Sequence, residues 1–171
     1  MLECLPWRGE FHRGRLVSAM QRMNGRTAII TGATSGMGRA TALLFAREGA
    51  AIVASGRDEA RGRTLVDEIR AGGGRAEFVP GDVSLPETNA RLVDTGSRAF
   101  GGVDTILAFA GTLGLGSITD VPPDRWRQTM AVNLDAVFYL LRAGLPAMKA
   151  RGRGAVVIGG SISAFKGVPN H

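Results

Sequence analysis

The stretch Thr31-Gly32-Ala33-Thr34-Ser35-Gly36-Met37-Gly38 decides the fold of this chain. It follows a short β-branched and apolar run that ends at Ile30, and apolar residues at helical spacing begin at Ala40. A strand, a glycine-rich turn and a helix in this order predict a turn that approaches a phosphate. Glycine has no Cβ, so backbone N–H groups at the start of the helix can lie close to a pyrophosphate, which the helix dipole also favours.

The residues after this stretch alternate between strand-like and helix-like patterns. Short apolar runs predict five strands, at residues 27–31, 51–55, 76–80, 105–109 and 154–159, and four helical segments lie between them. This alternation favours parallel β-α-β crossovers. We therefore predict an α/β fold, namely a Rossmann-type doubly wound parallel sheet, with no internal repeat and no second domain.

Capping residues predict the ends of the helices. Asp58 is a good N-cap for the second helix, whose apolar residues Leu65, Val66 and Ile69 would face inward. Pro86 fits the first turn of the third helix. Asp124 is predicted to cap a long fourth helix that Pro146 breaks. One stripe of that helix carries Trp126, Met130, Leu134, Phe138 and Leu141.

Composition excludes several classes of protein. The chain has 171 residues and a net charge of +6, but its arginines are spread along the sequence, so we expect no nucleic-acid partner. Cys4 is the only cysteine, which excludes an intrachain disulfide. No apolar run approaches the ~20 residues of a membrane span, and the N-terminus lacks the apolar core of a signal peptide. We expect a cytoplasmic protein without a membrane or metal partner.

Residues 1–25 show no sustained periodicity. Met20 and Met23 lie just before the first strand, and either could be the natural start. We expect this segment to be a disordered extension or a mis-assigned start, with a basic interaction arm as the alternative. The domain would then begin at Arg26.

The end of the second strand bears on the choice of dinucleotide. An acidic residue at this place binds the ribose hydroxyls of NAD, whereas an arginine accommodates the 2′-phosphate of NADP. Gly56 stands where the acid is expected, and Arg57 follows it. This favours NADP over NAD, with Arg39 as support, although Asp58 could serve a ribose and Arg57 could be a solvated surface charge.

The turn at residues 31–38 has the spacing T-G-x-x-x-G-x-G and resembles that of the short-chain dehydrogenase/reductase family. Asp82-Val83 resembles the family's adenine-binding pair, although an Asp that caps the following turn explains it equally well. Ala110-Gly111 keeps half of the family's Asn-Asn-Ala-Gly, with Ala108 and Phe109 in place of both asparagines. The resemblance implies a cofactor site made of Gly32, Thr34, Ser35, Gly36, Met37, Gly38, Arg57, Asp82, Val83, Ala110 and Gly111.

Two further residues would carry the family's chemistry. Asn133, within Val132-Asn133-Leu134-Asp135, matches the asparagine that kinks a helix and holds a water on a proton path; the alternative is an amide tucked into a packed face. Ser161 matches the serine that polarises a substrate carbonyl, with Ser163 as the second choice. The implied activity interconverts a carbonyl and a secondary alcohol of a small-molecule substrate by hydride transfer with NADP or NAD, and the family permits a homo-oligomer.

The family's Tyr and Lys acid–base pair begins roughly thirteen positions after that serine, and counting from Ser161 runs past His171. Tyr139 is the only tyrosine and no lysine follows it one helical turn later. We therefore expect residues 26–171 to be an incomplete NAD(P)-binding domain, truncated after the fifth strand, with an apolar sheet edge exposed. The alternative function is a catalytically dead nucleotide-binding or interaction protein.

Overall fold

The computed structural model describes residues 21–166, in which five strands form one parallel sheet. The strands are β1 (Thr27–Thr31), β2 (Ala51–Gly56), β3 (Arg75–Pro80), β4 (Thr105–Ala108) and β5 (Ala155–Ile158). Their spatial order is β3-β2-β1-β4-β5, and every neighbouring pair is parallel. The strand order reverses direction between β1 and β4, so the predicted doubly wound sheet is confirmed.

Helices cover both faces of the sheet. They are α1 (Gly36–Arg47), α2 (Glu59–Ala71), α3 (Pro86–Phe100), α4 (Pro123–Met130) and α5 (Ala136–Ala150), and a π-helical segment, Ala131–Asp135, joins α4 to α5. A short 3₁₀ turn, Ile162–Ala164, follows β5. Successive β1 residues point to opposite faces, so Ile30 packs in the core beneath α1 and α2, and Ile29 in the core beneath α3 and α5.

The second and third helices begin as predicted. The Asp58 carboxylate accepts a hydrogen bond from the backbone N–H of Arg61 at 3.0 Å, and Leu65, Val66 and Ile69 are buried as predicted. Pro86 occupies the first turn of α3, which ends at Gly101 in a left-handed conformation.

The long helical stretch 123–150 differs from its prediction in two respects. Pro122, not Asp124, is the N-cap of α4, and Asp124 pairs with Arg127 one turn later. Pro146 does not break α5, which continues to Ala150. The stripe that begins at Trp126 remains largely exposed, with 54% of Trp126 accessible.

A different face of α5 is buried, and this face explains why the helix survives Pro146. Ala136, Leu140, Gly144 and Met148 recur every four residues and pack on the sheet. Gly144 permits the approach, since a Cβ there would lie 2.5 Å from Ile106 Cδ1. Burial on both sides of Pro146 outweighs the ~3 kcal/mol that an interior proline costs a helix.

The buried carboxylate of Asp104 links three strands at the edge of the sheet where their amino-terminal ends lie. Asp104 accepts hydrogen bonds from Thr27 N–H at 2.9 Å, from Arg151 Nε at 2.9 Å and from Arg153 Nε at 2.6 Å. Burial raises the pKa of Asp104, but the hydrogen bonds from Arg153, Arg151 and Thr27 outweigh it and hold that pKa below its ordinary value. The starts of β1, β4 and β5 are thereby joined at one side chain.

The last residues assigned to the N-terminal extension contact the domain. Arg22 pairs with Glu48 at 3.0 Å, and Met23 packs against the core beneath α1 and α2. The hydrogen bond from Arg22 lowers the pKa of Glu48. Residues 1–20, the rest of the predicted extension, lie outside the described part of the chain, as does the stretch 167–171.

Strand β5 lies at the edge of the sheet, and its four residues are all exposed. Ile158, for example, keeps 53% of its surface accessible. Within residues 21–166, no helix combines the length and apolarity needed to cross a bilayer. The same residues contain no cluster of three or more histidine, cysteine, aspartate or glutamate side chains suited to a metal ion.

Candidate active site

The glycine turn joins β1 to α1, and a different structural feature explains the glycine at each of positions 32, 36 and 38. Gly32 has φ +66°, and a Cβ there would lie 2.9 Å from the Phe109 carbonyl oxygen. A Cβ on Gly38 would lie 2.3 Å from the Gly32 carbonyl oxygen. Gly36 has φ +51°, but its Cβ would meet no protein atom within 4 Å. The protein backbone therefore requires Gly32 and Gly38, whereas the space beside Gly36 is open to a ligand.

The start of α1 is left without a side-chain cap. Ser35 is the N-cap residue, yet its hydroxyl makes no capping hydrogen bond, and the first turn carries no acidic residue. The first-turn N–H groups of a helix need partners, and the helix dipole favours an anion there. This arrangement suits the pyrophosphate of a dinucleotide.

A cleft of about 300 Å³ opens above this turn. We call it the first cleft. It brings together every residue that the sequence assigned to the cofactor, since its lining includes Gly32, Thr34, Ser35, Gly36, Met37, Gly38, Arg57, Asp82, Val83, Ala110 and Gly111. The turn after β1 and the ends of β2, β3 and β4 therefore meet at the carboxyl edge of the sheet, where ligands of doubly wound folds bind.

Arg57 differs in its surroundings from Arg39 and Asp58, the other charged residues considered for cofactor binding. Arg57 lines the first cleft, and within residues 21–166 it has no carboxylate partner. Arg39 instead pairs with Glu68 of α2. Asp58 is occupied at the start of α2, where it also pairs with Arg61 at 3.3 Å. Neither Arg39 nor Asp58 lines the cleft.

Packing against Thr34 explains why residue 56 is a glycine, and the sequence alone does not show this contact. A Cβ at Gly56 would lie 2.5 Å from Thr34 Cγ2 and 2.9 Å from Thr34 Oγ1. An acidic side chain at this position would therefore displace Thr34 from the glycine turn.

Asp82 forms the turn that the alternative interpretation anticipated. Its Oδ1 accepts hydrogen bonds from Ser84 N–H at 2.9 Å and from Ser84 Oγ at 2.8 Å. Asn89 of α3 supports the same segment, because its buried Nδ2 donates to the Val83 carbonyl at 2.7 Å and to the Leu85 carbonyl at 3.0 Å. Asp82 thus stabilises the turn and lines the first cleft at once.

Thr31 organises the segment where the family has its two asparagines. Its Oγ1 accepts hydrogen bonds from the Phe109 and Ala110 N–H groups, both at 3.2 Å. The hydroxyl at the start of the glycine turn therefore holds the end of β4 beside that turn, although Ala108 and Phe109 carry no amide.

A second cleft, of about 330 Å³, adjoins the first at Thr112, which lines both. Asn133 and Ser161 both line it, so the structure brings the two predicted catalytic residues to one place. Ser163, the second choice, lies beside Ser161: the Ser161 hydroxyl donates to Ser163 Oγ at 3.1 Å and accepts from Ser163 N–H at 3.2 Å.

Asn133 lies within the π-helical segment and is exposed rather than tucked into a packed face. π-Helical turns inside α-helices occur frequently at functional sites. The side-chain amide of Asn133 pairs with both backbone polar groups of Thr112. It thereby ties the helix to the junction of the two clefts.

The sequence missed several residues at these clefts. Thr112 directly follows the Ala110-Gly111 pair, and that adjacency is the signal that could have identified it. Gln128 lines the first cleft and Trp126 the second. The second cleft also takes its apolar lining from a loop without regular periodicity, namely Leu113, Ile118 and Val121.

The chain matches a known protein family in sequence and in fold. A model of the short chain dehydrogenase family matches residues 26–171. The chain belongs to this family. Several of its relatives are named dehydrogenases.

Two curated relatives show how much of a family member the chain spans. An L-rhamnose-1-dehydrogenase of Scheffersomyces stipitis is 35% identical over 150 residues, which are 85% of this chain and 58% of that protein. A cyclohexanol dehydrogenase of an Acinetobacter species is 37% identical over 150 residues, which are 87% of this chain and 60% of that protein. The chain therefore spans less than two thirds of the length of either relative.

Two solved structures resemble the fold closely. NAD⁺-bound xylitol dehydrogenase superposes with a TM-score of 0.82 at 30% identity, covering 87% of this chain and 58% of that one. L-sorbose reductase from Gluconobacter frateurii, complexed with NADPH and L-sorbose, gives a TM-score of 0.84 at 33% identity, covering 87% and 57%. The family neighbours thus include both NAD⁺-bound and NADPH-bound proteins.

Proposed function

We propose that residues 26–171 form the NAD(P)-binding part of an oxidoreductase that interconverts a carbonyl and a secondary alcohol of a small molecule. One observation carries the proposal: the first cleft meets the second cleft at Thr112, so the assigned cofactor residues lie beside Asn133 and Ser161. A bound nicotinamide would supply or accept the hydride at this junction.

Each part of the first cleft has a role in this proposal. The uncapped start of α1 and the open space at Gly36 bind the pyrophosphate. The turn at Asp82 and Val83 contacts the adenine, and Ala110 and Gly111 let the backbone run close to a ribose. A dinucleotide fits these residues because the glycines leave no side chain in the path of the pyrophosphate.

The second cleft provides the polar contacts for the reacting group. Ser161 donates its hydroxyl proton to the substrate oxygen as a hydrogen bond and polarises the carbonyl, and this requires rotation of the hydroxyl away from Ser163. Asn133 positions the junction through Thr112. Tyr139 lines neither cleft, and its ring packs edge-on against Phe138 with centroids 5.6 Å apart, so we assign it a packing role.

We propose NADP as the preferred cofactor because Arg57 lines the first cleft without a carboxylate partner among residues 21–166. A planar guanidinium suits the 2′-phosphate of NADP. The absence of an acid at Gly56 supports the same choice, since Thr34 fills the space that an aspartate would need.

Titration of the purified chain with NADPH and NADH, followed by nicotinamide fluorescence, tests the proposal. Saturable binding is expected for both, and it should be tighter for NADPH. A chain that binds neither dinucleotide would refute the proposed function. Equal affinity for the two would refute only the cofactor preference.

A second candidate function is a nucleotide-binding interaction protein without turnover, and the exposed apolar residues of β5 favour it. Turnover of a secondary alcohol with NADP⁺ would refute the interaction protein. Saturable NADPH binding without turnover agrees with both candidates, because the family's Tyr and Lys pair is expected beyond His171.

A further inference from the structure

The side chains of the second cleft are uncharged. Its walls are formed by the apolar residues Leu113, Ile118, Val121 and Trp126, and the remaining side chains are hydroxyls and one amide. Trp126 and Ile118 keep 54% and 90% of their surfaces exposed, so both have apolar area for a ligand to cover. An ionised substrate would be desolvated here without a counter-charge.

Most side-chain hydroxyl and amide groups of this cleft already have protein partners; among residues 21–166, the exceptions are the Thr112 hydroxyl and the hydroxyl proton of Ser163. Asn133 uses both its donor and its acceptor on Thr112. The Thr129 hydroxyl donates to the Arg125 carbonyl at 2.8 Å. Ser161 and Ser163 bond to each other. A substrate with many hydroxyl groups would therefore lose water and find few new partners.

Few substrate oxygens can be bound without breaking hydrogen bonds of this network. Rotation of the Ser161 hydroxyl frees a donor for one substrate oxygen and breaks only the bond to Ser163. The remaining lining then contacts hydrocarbon. An apolar pocket discriminates against one added hydroxyl only modestly, by up to about 10²-fold.

We infer that the substrate is a neutral secondary alcohol, or its ketone, with an apolar body, and that polyols are poor ligands. This inference rests on the proposed function, because it places the reacting oxygen at Ser161. Trp126 and Ile118 are then the residues that determine specificity.

Cyclohexanol and inositol test the inference, because they share a six-membered carbon ring and differ in the number of hydroxyl groups. Binding to the full chain saturated with NADP⁺ is measured by calorimetry. Cyclohexanol should bind at least about tenfold more tightly than inositol. Inositol binding as tight as that of cyclohexanol would overturn the inference.

Two variants locate the binding. Trp126→Ser should weaken cyclohexanol binding about tenfold and leave the NADP⁺ affinity unchanged. Phe138→Ser is the matched control, since Phe138 is 56% exposed on the same helical stretch but lines neither cleft. Ile118→Asn adds a free amide to the cleft, so it should strengthen inositol binding. Equal effects of Trp126→Ser and Phe138→Ser, or no gain from Ile118→Asn, would contradict the inference.

The measurement of NADP⁺ binding distinguishes failure of the proposed function from failure of the inferred substrate class. If NADP⁺ does not bind, the proposed function fails. If NADP⁺ binds and cyclohexanol has no advantage over inositol, the substrate class alone fails.

Discussion

The side-chain amide of Asn133 forms two hydrogen bonds with the backbone of Thr112: Oδ1 accepts from the N–H at 2.8 Å, and Nδ2 donates to the carbonyl at 2.9 Å. Asn133 lies in the π-helical segment, and Thr112 lies where the two clefts meet. This pair therefore connects the helical stretch 123–150 to the loop after β4.

Asn133→Leu keeps the approximate size of the side chain and removes both bonds. The Thr112 amide should then exchange its hydrogen with solvent about tenfold faster or more, because a net hydrogen bond is worth roughly 1 kcal/mol. Exchange measured by NMR in the free protein checks this expectation. Asp135→Asn, a change at an exposed neighbour, should leave the Thr112 rate unchanged. An unaltered rate in Asn133→Leu would show that the pair does not hold the loop.

Gly38→Ala should destabilise the protein. Its new Cβ would lie 2.3 Å from the Gly32 carbonyl oxygen, so the backbone must shift. We expect a loss of about 1–3 kcal/mol in the free energy of unfolding, as for overpacking elsewhere. Urea denaturation measures it, and a variant as stable as the parent would contradict the close contact.

Gly36→Ala separates ligand binding from folding. The new Cβ meets no protein atom within 4 Å, although φ +51° costs a non-glycine residue about 1 kcal/mol. We expect a small loss of stability and at least a tenfold weaker NADPH affinity, because the methyl group enters the space proposed for the pyrophosphate. NADPH affinity equal to that of the parent would exclude a ligand from this space.

Arg57→Ala tests the choice between dinucleotides. A hydrogen bond to a charged group contributes roughly 1.5–3 kcal/mol, so the NADPH dissociation constant should rise about 10- to 100-fold while that for NADH changes little. Arg63→Ala is the matched control, because Arg63 is an exposed arginine that pairs with Glu59 outside the first cleft. Parallel weakening of NADPH and NADH would refute a 2′-phosphate contact.

Asp104→Asn tests the carboxylate at the other edge of the sheet. Because the folded-state pKa of Asp104 is lowered, its contribution to stability is complete above the unfolded pKa of about 3.9 and is lost as the pH falls through the folded pKa. The variant should lose about 2 kcal/mol near pH 7, and the difference from the parent should shrink below about pH 4.

Urea denaturation across this pH range measures the difference. Asp94→Asn removes a carboxylate from an exposed pair with Arg98 and should cost less than about 1 kcal/mol. A stability difference at Asp104 that does not depend on pH would contradict a role for its charge.

The sequence predicted the sheet well because its signals are local. Apolar runs bounded by glycine located all five strands, and Asp58 and Pro86 marked the starts of two helices through contacts within a few residues. The ends of the long helix were wrong for the opposite reason. Whether Pro146 breaks α5 depends on packing against Ile106, which lies far away in the sequence.

In the candidate site, too, residues marked by local sequence signals could be predicted, whereas those that depend on distant contacts could not. Residues of the glycine turn and the strand ends could be assigned because the fold dictates where they meet. Arg39, which the sequence offered as support for Arg57, pairs with Glu68 of another helix and does not line the first cleft. The lining of the second cleft depends on an irregular loop, so Ile118 and Val121 carried no periodic signal that could identify them.

The ligation of Asp104 has a consequence for the order of folding. Its partners are 77 residues away at Thr27, 47 at Arg151 and 49 at Arg153, so all three contacts form only after distant segments have assembled. Contacts that are absent from the transition state change the unfolding rate and leave the folding rate almost unaltered. We therefore expect Asp104 to slow the unfolding of the assembled sheet more than it speeds folding, so that it contributes to kinetic as well as to equilibrium stability.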